Sequence, residues 1–153
     1  MNQKSKPKGV LPPAVLLGAI CLAVGLHLVL PLKQVVLFPY RLLALVPLLL
    51  GVALNLLADG VFKKAGTTVK PFEVSAVLIT DGVFRLSRNP MYLGMVLIVL
   101  GIALGLGSLS SLLVAVALPA VLDRAFIVPE ERMLEETFGE EFASYRRRVR
   151  RWV

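Results

Sequence analysis

Ionisable side chains cluster at two places where this chain is otherwise strongly apolar. The first is Arg85-Leu86-Ser87-Arg88-Asn89-Pro90-Met91-Tyr92-Leu93-Gly94. The second is Asp123-Arg124, followed by Glu130-Glu131. Charges at the edge of a membrane segment are expensive and are functional candidates by default. The groups on offer are guanidinium, carboxylate, amide and phenol, which pair with charges and hydrogen-bond. The chain has one cysteine, Cys21, and one histidine, His27, both inside an apolar run. That excludes an internal disulfide and a thiolate metal cluster, and it leaves a zinc site or a Ser-His-Asp triad without partners, so no metal is expected. Cys21 reads as a small packed residue.

The elements that must position these groups follow from composition. Of 153 residues, 57% are hydrophobic and 18% charged, and the mean hydropathy is +0.79. Soluble domains are less apolar and more charged, so the chain reads as a membrane protein of one domain. Despite a net charge of +7, the long apolar runs exclude a dedicated nucleic-acid binder. Gly9 to Leu32 is 24 residues without a charge, which predicts a first span at 12–30. A second is predicted at 39–58, with Arg41 snorkelling to the interface, an aromatic edge of Phe38 and Tyr40, and a kink at Pro47. Residues 59–90 are mixed and polar and read as a connection. Asn89 to Leu122 is 34 uncharged residues, about 51 Å as a helix against a hydrocarbon core of about 30 Å. One span cannot hold it. A hairpin folding back at the Gly101, Gly105, Gly107, Ser108, Ser110 and Ser111 cluster gives spans at 91–105 and 109–128.

The tail, 129–153, reads as an amphipathic helix with Met133, Phe138, Phe142, Tyr145, Val149 and Trp152 on its apolar side. Arg146, Arg147, Arg148, Arg150 and Arg151 read as an anionic-lipid anchor. The N-terminus carries three basic residues, the 59–90 connection five and the tail six, fourteen of the seventeen in all. Four spans put these three segments on one side, the cytoplasmic one, with both termini. The expected fold is therefore all-α: a polytopic membrane bundle of about four transmembrane helices with a C-terminal amphipathic helix. Its hairpin would bring the two ionisable clusters to one membrane face.

Arg88-Asn89-Pro90-Met91-Tyr92-Leu93-Gly94 resembles the Arg-(His/Asn)-Pro-x-Tyr-x-Gly motif of the integral-membrane methyltransferases. These are the isoprenylcysteine carboxyl methyltransferases and the phospholipid (phosphatidylethanolamine) N-methyltransferases. Gly66-Thr67-Thr68-Val69-Lys70-Pro71 and Asp81-Gly82-Val83-Phe84-Arg85 are similar to that family's approach to the motif. Glu130-Glu131-Arg132-Met133-Leu134, Phe138-Gly139-Glu140-Glu141-Phe142 and Tyr145 resemble its closing signature. The likeness covers about residues 51–153. Asn89-Pro90-Met91-Tyr92 looks more like the phospholipid enzymes, whereas the Phe138-to-Tyr145 ending looks more like the isoprenylcysteine ones.

The resemblance implies S-adenosylmethionine as cofactor and a lipid or lipidated acceptor reached from the bilayer, with phospholipid amines ahead of prenylcysteine carboxylates. It implies a cofactor site of Arg88, Asn89, Pro90, Tyr92, Leu93, Gly94, Glu130 and Glu131. Arg88 would pair with the cofactor carboxylate, a glutamate with its ammonium or ribose, and Gly94 and Gly101 would allow close approach of the cofactor or another helix. Arg85, Glu131 and Tyr145 are the catalytic candidates, Glu131 or Tyr145 as base for an amine acceptor. Plainer readings stand beside these. Asn89-Pro90 is also a helix start, Glu130-Glu131 a solvated face, Asp123-Arg124 an internal ion pair, and Asn55 a helix–helix hydrogen bond. Glu140-Glu141 and Arg146 to Arg148 read as surface charges. Two other functions fit more loosely: a sterol-reductase-like oxidoreductase using NADPH, and a non-enzymatic lipid-binding scaffold.

Overall fold

The computed structural model describes residues 11–66 and 77–153. Gly66 and the Asp81-to-Arg85 stretch fall among them, whereas Thr67 to Pro71 and the three N-terminal lysines lie outside the described residues. Helix α1 (Pro12–Val29) is followed by a 3-10 turn (Tyr40–Ala44) that runs directly into α2 (Leu45–Lys64). A second 3-10 turn (Gly82–Arg85) precedes α3 (Pro90–Leu106) and α4 (Leu109–Leu122). A π-helical turn (Asp123–Ile127) joins α4 to α5 (Val128–Phe138), and α6 (Glu140–Arg148) closes the order. Among the described residues the architecture is all-helical; Gln34 and Ser108 make an isolated bridge.

Among the described residues, three helical stretches are long and apolar enough to cross a membrane: Pro12–Val29, Tyr40–Lys64 and Leu109–Phe138. Their outward positions are leucine and valine, such as Leu17, Leu49, Leu56 and Val116, all more than half exposed. An apolar exterior of that extent suits lipid rather than water. The fourth apolar helix, α3, has 17 residues, about 26 Å. It is the central one, with seven buried positions against two each in α1 and α2. Tyr92, Met95, Val99 and Ala103 of α3 meet Ala115, Leu118 and Leu122 of α4, with Ile20 and Leu16 of α1 packed alongside.

Glycine sets how closely α2 and α3 approach. A Cβ on Gly94 would collide with the Asn55 amide and the Gly51 carbonyl, and one on Gly101 would press on the Leu48 backbone. Of the two uses expected for these glycines, approach of another helix is the one seen. Asn55 hydrogen-bonds to Gly51 of its own helix at 2.9 Å, so it seals the glycine contact instead of donating across it. The hairpin turns at Gly107, in the left-handed region (φ 75°). Ser108 caps α4 by accepting from the Ser111 amide, and Arg41 braces the turn from Val36 and Gln34.

Several boundaries differ from the sequence expectation. Helix α2 continues past 58 to Lys64 because the next residues suit a helix and Asp59 pairs with Lys63 one turn on, at 2.5 Å. Pro47 sits in the first turn of α2, where a missing N–H is not needed, and the irregularity lies in the 3-10 turn ahead of it. Cys21 is exposed on the outside of α1 rather than packed. The predicted single tail helix is two, broken at Gly139 with φ 50°. Phe142 and Tyr145 are nevertheless buried as an apolar face requires, and Trp152 packs against the core.

Candidate functional site

The mouth of α3 begins at Ser87. Asn89 and Pro90 occupy the cap and first position, yet the Asn89 side chain makes no capping bond. Its Nδ2 instead donates to the Arg151 carbonyl at 3.0 Å. Ser87 Oγ accepts from the Asn89 amide at 3.1 Å and donates to the same Arg151 carbonyl at 3.2 Å. The Arg88 amide donates to the Arg150 carbonyl at 3.0 Å. After α6, therefore, the chain turns back and runs against 87–89.

Arg88 is nearly enclosed, its side chain 9% exposed. Its Nη2 donates to Glu131 Oε1 at 2.7 Å, and Nη1 donates to the carbonyls of Val149 and Arg146 at 2.9 and 3.2 Å. Its Nε is buried and has no hydrogen-bond partner among the described residues. Glu131 is equally enclosed, and a second arginine completes it. Arg151 Nε reaches Oε1 at 3.2 Å and Nη2 reaches Oε2 at 2.5 Å. Arg151 Nη1 also pairs with Asp123 at 3.0 Å. The internal ion pair expected of Asp123 exists, but Arg151 is its partner and Arg124 is exposed. Glu130 points a different way and accepts from the Tyr92 hydroxyl at 2.7 Å, while the Tyr92 ring stacks on Phe126 at 5.9 Å between centroids. Buried carboxylates persist only when so partnered.

These groups form the polar end of a cavity of about 540 Å³. Arg88, Asn89, Tyr92, Glu130, Glu131 and Tyr145 line that end. Apart from Asn55, its other walls are apolar: Leu11, Pro12, Pro13 and Leu16 at the start of α1, Phe62 of α2, Leu78 and Ile79, and Met133 and Leu134 of α5. Pro90 contributes to the wall as well.

Not every expected site residue arrives there. Leu93 and Gly94 lie outside the lining, Gly94 being spent on the α2 contact. Arg85 pairs with Asp81 at 2.6 Å, and each side chain is 74% exposed; it stands apart from the cavity. Tyr145 does reach it, but its hydroxyl donates to the Phe84 carbonyl at 2.6 Å. Burial pushes that phenol up to about 12, against the opposing pull of Arg88. Both oxygens of Glu131 are held by guanidinium groups. Arg146, Arg147 and Arg148 are exposed as expected, Arg147 pairing with Glu140 at 2.6 Å. Arg151 departs from the lipid-anchor reading, because its guanidinium turns inward to Glu131 and Asp123. Sequence reasoning also missed the start of α1 as a cavity wall and the bonds that tie Ser87 to the Arg151 carbonyl and the Asn89 amide. No signal in the sequence singled out Arg151 from the arginines beside it.

An uncharacterised protein of Haemophilus influenzae is 38% identical over 63 residues, which is 41% of this chain and all of that one. No solved structure matches. The model of the phospholipid methyltransferase family matches residues 39–141, a stretch that holds α2, α3, α4, α5 and both ionisable clusters. The chain belongs to the phospholipid methyltransferase family.

Proposed function

We propose that this protein transfers a methyl group from S-adenosylmethionine to a membrane-borne lipid, with amine-bearing phospholipid headgroups preferred over isoprenylcysteine carboxylates. The observation that carries the reading is one cavity with a charged end at Arg88, Glu130 and Glu131 and apolar walls from α1, α2 and α5. Such a space suits a zwitterionic soluble ligand at one end and an amphiphile at the other. Family membership supplies the reaction class.

The residues fit the cofactor. Arg88 lines the cavity with a buried Nε that lacks an acceptor, which matches a carboxylate. Asn89 offers an acceptor for an ammonium group or ribose hydroxyls. When bound, S-adenosylmethionine supplies an electrophilic methyl group on a cationic sulfur. The chain's own part is positioning and charge management. Tyr92 fixes one oxygen of Glu130, which leaves this carboxyl group to face an amine and take its proton. Glu131, held between Arg88 and Arg151, orients the arginine rather than accepting the proton. A carboxyl group at this place attracts an ammonium headgroup and repels a carboxylate acceptor, hence the preference for amines.

The membrane placement belongs to the same proposal: a multi-pass protein with both termini cytoplasmic. The side on which basic residues accumulate supports it, as does the shared cavity wall of the α1 start, the α3 mouth and α5. The test is incubation of the purified protein in nanodiscs with methyl-labelled S-adenosylmethionine. Label is expected in lipid extracted from phosphatidylethanolamine discs and not from phosphatidylglycerol discs, which lack an amine. Label in neither, with no transfer to a prenylcysteine substrate, would refute methyl transfer. Label on prenylcysteine alone would refute the amine preference.

A further inference from the structure

Arg88 and Glu131 do not complete each other. Both side chains are about nine-tenths buried, at 9% and 10% exposure, yet Arg88 reaches only Oε1 of the carboxylate. Oε2 depends on Arg151, which also shares Oε1 and extends Nη1 to Asp123. The backbone carbonyl of Arg151 meanwhile receives Ser87 Oγ and Asn89 Nδ2. One residue thus ties the π turn after α4, the first turn of α5 and the loop into α3. Arg151 is 36% exposed and is not part of the cavity wall, so it does not touch what the cavity holds.

The geometry points to Arg151 as a positioning residue that sets Arg88 for an anionic group in the cavity. Resting on the proposed cofactor for the identity of that group, the inference concerns the geometry of Arg88 itself. With Arg151 in place, two guanidinium groups balance Glu131 and Asp123, and Glu131 uses Arg151 for its second oxygen. Arg88 then gives one nitrogen to Glu131 and keeps Nε unpaired. Without Arg151, both oxygens of a buried carboxylate have Arg88 as their remaining cation. A bidentate grip is the stronger arrangement for an arginine–carboxylate pair. Forming it uses Nε, the donor an incoming carboxylate would need, and leaves the site with an excess of negative charge.

The test compares Arg151→Gln, Arg151→Lys and, as a control, Arg147→Gln at an exposed pair on α6, all in nanodiscs. Affinity for S-adenosylmethionine is measured by calorimetry. The Nε–H signal of Arg88 is followed in ¹⁵N-arginine spectra, assigned through Arg88→Lys. Arg151→Gln is expected to weaken binding roughly tenfold, equivalent to about 1.4 kcal/mol, and to shift the Arg88 signal. Arg151→Lys, which keeps the charge but loses the fork, should fall between that variant and the parent. Arg147→Gln should change neither readout. An unmoved Arg88 signal in Arg151→Gln overturns the inference, as does an affinity loss matched by Arg147→Gln. If the parent protein binds no S-adenosylmethionine, the proposed function fails while the Arg88 signal still decides this point. Should Arg151→Gln not fold, the signal in Arg151→Lys decides it.

Discussion

Replacing Glu131 by glutamine probes the network most directly. The substitution preserves shape and one acceptor oxygen but removes the charge that two guanidinium groups share. Arg88, 9% exposed, then carries a buried cation whose remaining partners are the carbonyls of Val149 and Arg146. Breaking a buried ion pair from one side costs about 3–5 kcal/mol. Arg151 is 36% exposed, so water recovers part of its loss, and the retained amide oxygen still accepts from one arginine. The expected destabilisation is therefore near the lower bound, about 3 kcal/mol. For a chain of this length each kcal/mol moves Tm by about 2–4 °C, so a fall of roughly 6–12 °C is expected by scanning fluorimetry in nanodiscs. A second variant separates stability from function. Combining Glu131→Leu with Arg88→Met removes both charges, and such replacements are often neutral or stabilising. The pair should recover most of the lost Tm while leaving binding of S-adenosylmethionine abolished. A fall of less than 2 °C for Glu131→Gln, or retained cofactor binding in the double variant, would refute the reasoning.

Other expectations follow from single contacts. Gly94→Val should destabilise by about 1–3 kcal/mol through overpacking against Asn55 and Gly51, whereas Gly18→Ala, with nothing within 4 Å of the added carbon, should leave Tm unchanged. Tyr145 is held up to about 12 in the fold against an ordinary value of 10.0. Its contribution is thus complete below pH 10 and is lost as pH rises from there towards 12. Thermal scans from pH 9 to 11.5 should show the parent losing more stability across that window than Tyr145→Phe; parallel curves would contradict the assignment. Arg85→Gln, at a pair exposed on both sides, should alter methyl transfer by less than about twofold, since exposed pairs contribute about 0–1 kcal/mol.

The apolar skeleton was readable because the relevant physics is local. Uncharged runs of more than 20 residues can lie only in lipid or a core, and Gly107-Ser108 is a turn whichever helices it joins. Tyr92 and Glu130 were identifiable through motif order, and the hairpin brings them within hydrogen-bonding distance. Arg151 was not identifiable. It stands in a run of arginines beside Arg146, Arg147, Arg148 and Arg150, and nothing in its neighbours distinguishes it. What selects it is the extended backbone after α6, which lays this residue, rather than Arg148, beside Glu131. Gly94 shows the reverse: a motif glycine signals close approach without saying what approaches, and here α2 does.

The register of the two glutamates has its own cause. Along α4 the inward positions Ala115, Leu118 and Leu122 step by three and four, the ordinary helical interval. After Leu122 both Phe126 and Ile127 are buried, four and five residues on, and Glu131 follows Ile127 by four and Phe126 by five. A step of five is what a π-helical turn provides, and Asp123–Ile127 is one. Had the α-helix continued unbroken, each residue beyond would be turned by about 100° about the axis. Glu131 would then leave the face that meets Arg88, and the pairing with Tyr92 would move with it. Pro119 stands one turn earlier, and its missing amide leaves the Ala115 carbonyl without the helical donor at i+4. A continuous apolar helix can thus carry a span and still deliver two carboxyl groups to the mouth of α3. The irregular turn sets their phase, and a search for a single 3.6-residue period passes over it.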